Sequence, residues 1–73
     1  MSPVITLAHH DELRNICNNY PLHVGKTISH RTARDLVAVG WAERNRNGDF
    51  LPTADGLRQY DEDVQAGMWG VQP

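Results

Sequence analysis

Lys26, Arg31, Arg34, Arg44 and Arg46 fall between positions 26 and 46, opposed there only by Asp35 and Glu43, so five cations meet two acids for a net of +3. A guanidinium can bond guanine bidentately, which makes Arg31 and Arg34 the candidates for reading base edges. Lys26, Ser29, Thr32, Arg44 and Arg46 suit contacts with phosphate, and His30 suits either task. From 49 to 73 the balance reverses, with Arg58 alone against Asp49, Asp55, Asp61, Glu62 and Asp63, a net of −4. The overall charge of −2 therefore hides two poles, an arrangement that steers a basic face to a polyanion and keeps the acidic face away. The plainer reading is that Arg34 and Asp35 are only surface charges and that Arg44 and Arg46 merely solubilise a turn.

Most of these side chains need a helix and a ribbon to hold them. Ser29 can cap a helix over 29–39, Ala33, Leu36 and Val37 recur at helical spacing, and Gly40 supplies the residue that turns left-handed at its end. At about 100° per residue, His30, Arg31, Arg34 and Ala38 fall on one side, and Ala33, Leu36, Val37 and Gly40 on another roughly 120° away. Next, Trp41 to Asn45 and Phe50-Leu51 flank Arg46-Asn47-Gly48-Asp49, where Asn-Gly predicts a type I′ hairpin with a basic tip. Thr53 then caps a last helix with Leu57, Tyr60 and Val64 as its buried stripe and Asp61, Glu62 and Asp63 exposed. Gly56 sits in its first turn, where a neighbour can approach closely, and Gly67 marks its stop.

Upstream, Val4 to Leu7 reads as a short strand or an extended lead-in. Thr6 is placed to cap a helix in which Asp11 and Glu12 lie near the positive end of the dipole and Leu13, Ile16, Cys17 and Tyr20 form the apolar stripe. That helix should stop near Asn18-Asn19, ahead of Pro21. Pro21 to Ile28 is too short and too β-branched for a good helix, which leaves a single helical turn or an extended piece. The expected core is Leu13, Ile16, Leu36, Val37, Trp41, Leu57 and Tyr60.

Seventy-three residues make one domain, with loosely packed ends at 1–6 and 67–73, and leave little room for a substrate pocket beside a core. Cys17 has no disulfide partner, and neither a signal segment nor a long apolar run is present, so a cytoplasmic location without a membrane role is expected. His9, His10, Cys17, His23 and His30 lack the paired spacings of a zinc site. Val24-Gly25-Lys26-Thr27 echoes the end of a phosphate-binding loop, but the upstream glycine is missing. The chain is accordingly expected to be no enzyme and to need no metal or cofactor.

The helix ending in Leu36-Val37-Ala38-Val39-Gly40-Trp41, followed by Glu43-Arg44, a Gly-containing turn, Phe50 and Thr53-x-x-Gly56, resembles the winged helix-turn-helix domains of small bacterial and phage regulators. About residues 28–60 carry the likeness. It implies a small α+β fold of about three helices with a two-stranded wing. It further implies a DNA-binding transcriptional regulator, with helix 29–39 in the major groove of double-stranded DNA and the wing 41–52 on the backbone. Pro52 stands where the family usually has a leucine and should remove one ladder donor, while 21–28 is short for the first helix of the pair. The alternative within the same fold is a protein-interaction module, docking on a host or regulatory protein through the apolar tail Met68, Trp69 and Val71; a homodimer fits either reading.

Overall fold

Ser29 behaves as its type suggests. Its hydroxyl accepts from the Thr32 N–H at 3.4 Å, and helix α2 runs over His30–Ala38 until Gly40 takes φ +84°. In the computed structural model, which describes residues 2–70, the order is α1 (Leu7–Asn19), a single 3-10 turn (Val24–Lys26), α2, β1 (Ala42–Arg44), β2 (Phe50–Pro52) and α3 (Ala54–Gln65). Three helices and one two-stranded antiparallel sheet make a small α+β fold, consistent with a winged-helix layout. Of the two readings for 21–28, the single turn is realised. The N-terminal Val4 to Thr6 lead-in forms no strand, and Leu7 already belongs to α1.

The wing differs from expectation at its tip. Only Gly48 has positive φ (+83°), the Gly48 N–H donates to the Asn45 carbonyl, and the Asn45 N–H donates to Asp49. The turn is therefore centred on Arg46 and Asn47 and closed by a left-handed glycine, not the type I′ form, which needs positive φ at Asn47 as well. Asn45 stabilises it with its own side chain, whose Oδ1 accepts from the N–H groups of Asn47 (2.9 Å) and Asp49 (3.0 Å).

Pro52 costs the ribbon no bond. Ala42 faces Pro52, Glu43 faces Leu51 and Arg44 faces Phe50, while the bonds of Thr53 to Trp41 and Asn45 to Asp49 put exchange between the strands at alternate positions. Position 52 thus points its nitrogen outward, on the side where Phe50 exchanges two backbone bonds with Leu22 (3.0 and 2.8 Å). Leu22 forms a one-residue third strand.

Leu13, Ile16, Cys17, Leu22, Ala33, Leu36, Ala42 and Phe50 are buried together, and Val37, Trp41 and Tyr60 pack against them. Leu57 is the expected core residue that is not there: it is 45% exposed. The cause is Gly56. Its Cα lies so close to the backbone of Trp41 that a Cβ would overlap the Trp41 carbonyl oxygen, which fixes the rotation of α3 with Gly56, Tyr60 and Asp63 turned inward and Leu57 outward. Asp63, expected on the exposed side, is consequently buried, where it accepts from Gln59 Nε2 at 2.9 Å and pairs with His10 at 2.7 Å.

Asp11 and Glu12 lie beyond the first turn of α1, not at its positive end. Glu12 is fully buried behind the start of α2; its Oε2 accepts from the Ile28 N–H at 2.9 Å and its Oε1 has no hydrogen-bond partner. Desolvation raises its pKa above the ordinary 4.5, against the lowering effect of the Ile28 N–H and Asn15. The folded chain therefore binds this proton more tightly than the unfolded chain. The associated stability is full below about pH 4.5 and is lost as the pH rises through the higher folded value. Thermal melts of Glu12→Gln should show the wild type losing ground to the variant as the pH rises from 4 to 7; parallel curves would show that the carboxyl carries no such linkage.

Candidate nucleic-acid interface

The amphipathic division of α2 places the proposed contacts. Ala33 and Leu36 are buried, Val37 is half-buried, and His30, Arg31, Arg34 and Ala38 are exposed. Arg31, Arg34, Asp35 and Ala38 line a shallow hollow of about 320 Å³ along the outer side of the helix. Ser29 and Thr32 are half-buried at its start, with the Ser29 oxygen already engaged as the cap.

Phe50 joins this helix to the wing. Its buried ring has the His30 ring at 5.9 Å, edge-on, and the Arg44 guanidinium at 5.0 Å, so two cation-bearing elements converge on one aromatic side chain. Arg46 follows at the exposed tip of the turn. Asp49 is buried beneath that tip and pairs with His23, which ties the wing to the segment ahead of the 3-10 turn.

Among the described residues, four acids form ion pairs, each with another partner: Asp35 with His9, Asp63 with His10, Asp49 with His23, and Asp55 with Arg58. None of these pairs includes Arg31, Arg34, Arg44 or Arg46. A net-acidic chain thus keeps four guanidinium groups unpaired on one helix face and the adjoining wing. Lys26 stands apart from this group. It is exposed at the end of the 3-10 turn and lines a different hollow, of about 550 Å³, with Asn15, Tyr20, Leu22 and His23 among others.

The tail is arranged differently from the exposed anchor expected of it. Trp69 is half-buried; its Nε1 donates to Asp11 at 2.7 Å, the Tyr60 ring lies at 5.8 Å and the Arg14 guanidinium stands over it at 5.0 Å. The indole folds back because α1 and α3 together supply an acceptor for its N–H and cover for its faces. Met68 is 37% exposed, and Val71 lies outside the described residues.

Three of the four histidines have structural partners. His9, His10 and His23 each pair with an aspartate, and no three His, Cys, Asp or Glu side chains group to hold a metal ion among the described residues. Burial, with Asp63 nearby, pushes the Cys17 thiol up to about 11, which suppresses the nucleophilic thiolate at neutral pH. No helix among the described residues is long and apolar enough to cross a membrane.

Sequence reasoning did not find the bridging role of Phe50, the pairing of Leu22 with it, or the ties of His9 and His23. Only one of these had a local signal: Thr6 and His9 stand three apart, as capping-box residues do, with histidine in place of the usual Glu or Gln. In comparisons with protein families, curated proteins and solved structures, no match to this chain was found.

Proposed function

We propose that the chain is a DNA-binding regulator of the winged helix-turn-helix kind, acting in the cytoplasm without catalysis or cofactor. In this reading α2 enters the major groove with Arg31 and Arg34 at base edges. Ser29 and Thr32 meet the flanking phosphates, and His30 reaches either. Arg44 and Arg46 bring the wing to the backbone, and Lys26 adds a phosphate contact at the margin. The observation that carries the reading is the set of four arginines on α2 and the wing that form no ion pair, with Arg44 of the wing and His30 of α2 meeting at Phe50, in a protein whose net charge is −2. Even Asp35, which shares the hollow of Arg31 and Arg34, is bonded to His9 and not to either arginine.

Fluorescence anisotropy with labelled duplexes over a salt series tests it. Arg31→Ala or Arg34→Ala should cost about 1–3 kcal/mol on a preferred sequence and relax base preference. Arg46→Ala should instead weaken binding to every duplex and reduce the salt slope by about 1. Binding that is absent, or that responds identically to both kinds of substitution, would refute the assignment.

A further inference from the structure

We propose that Asp35 is a base-reading residue, its carboxylate accepting from a cytosine amino group while His9 of α1 holds it in position. The proposal rests on the DNA-binding reading above. Asp35 lies one turn beyond Arg31 and next to Arg34, lines the same hollow on the outer side of α2, and keeps 31% of its side chain exposed. His9 is nearly buried, and its Nδ1 accepts from the Thr6 N–H at 3.0 Å. The ring hydrogen therefore sits on Nε2, which donates to Asp35 Oδ2 at 2.8 Å. One carboxylate oxygen is thus fixed by a rigid donor from another helix. The second, Oδ1, makes no hydrogen bond or ion pair among the described residues, although two arginines share the hollow.

A carboxylate facing a polyanion lowers affinity for every sequence, so its return must come as discrimination. Cytosine presents an amino donor in the major groove, which a carboxylate accepts, whereas guanine presents only the acceptors O6 and N7, which it repels. Arginine has the opposite preference. Arg31 and Asp35 side by side would therefore read guanine and cytosine at neighbouring positions, with His9 as the positioning residue that keeps the acid from closing onto the guanidinium groups.

Selection from a randomised duplex pool with the full chain tests the idea. The wild type is expected to enrich a motif with cytosine at one position, and Asp35→Ala to lose that preference by roughly 5- to 150-fold, the worth of one good base contact. The same variant should bind random duplex more tightly, because a negative charge has gone; a merely structural ion pair would weaken all binding and leave the motif alone. Asp35→Asn keeps an acceptor for His9, guarding against loss of fold, and should move the preference at that position from cytosine toward adenine, which an amide bonds bidentately. If both variants keep the wild-type motif, Asp35 does not read bases and the DNA-binding assignment survives. If the wild type enriches no motif, both fall.

Discussion

Gly56→Ala should leave the chain largely unfolded at room temperature. The added methyl would overlap the carbonyl oxygen of Trp41 and stand 2.8 Å from its carbonyl carbon, and neither can move freely. The Trp41 carbonyl accepts from the Thr53 N–H at 3.1 Å, and the Trp41 N–H donates to Leu36 at 2.9 Å, so that residue ties the end of α2 to the start of α3. Relief requires α3 to lift away, which breaks that Thr53 bond and the one in which Thr53 Oγ1 donates to the Gly40 carbonyl at 2.6 Å. A cost at or above ~3 kcal/mol, the upper end of ordinary overpacking, would consume most of what the core of so small a domain supplies. Circular dichroism during urea titration reads the effect directly. A midpoint within error of the wild type would mean that α3 does not sit on Trp41 in solution.

Phe50→Ala should be comparably damaging, by a different route. The ring is fully buried among Leu22, Leu36 and their neighbours, and truncating such a side chain costs about 3–5 kcal/mol through lost transfer energy and the cavity left behind. Leu57→Ala provides the contrast. As a half-exposed residue outside the core it should cost under about 1 kcal/mol. Equal losses from the two in denaturant titrations would show that α3 is rotated back to the orientation its apolar spacing suggests. Phe50→Leu retains most of the buried volume but removes the ring on which His30 and Arg44 converge. It should keep the fold while loosening the wing relative to α2.

What the sequence discloses is what neighbours in sequence decide. The limits of α2 follow from Ser29 and Gly40, its buried and exposed sides from a 3.6-residue period, and the start of α3 from Thr53, all set by contacts within one turn. The reach of Gly56 was likewise visible as a small residue in the first turn of a helix. Its consequence was not, because the rotation it forces on α3 depends on Trp41, fifteen positions earlier in a different element. Apolar spacing alone then favoured Leu57 over Asp63 for the interior, and the His10 and Gln59 partners that make a buried aspartate tolerable could not be foreseen. The same holds for the site. Its arginines were legible as a charge pattern, whereas the pairings of His9 with Asp35 and His23 with Asp49 each span 26 residues and obey no local period. A turn type misassigned at Asn47 changes no side of the ribbon, since Gly48 closes the loop with the strands in the register that burial of Ala42 and Phe50 requires.

The single-residue pairing of Leu22 with the wing also bears on how the protein survives at high concentration. An exposed strand edge offers unpaired N–H groups on which a second chain can template itself, and a short ribbon with a phenylalanine in it is an obvious seed for that kind of stacking. Along the outer edge of β2, the Phe50 N–H is already given to Leu22 and Pro52 has none to give. That edge therefore presents no backbone donor to another molecule, and the proline that departs from the resembled pattern serves as a stop against fibril growth.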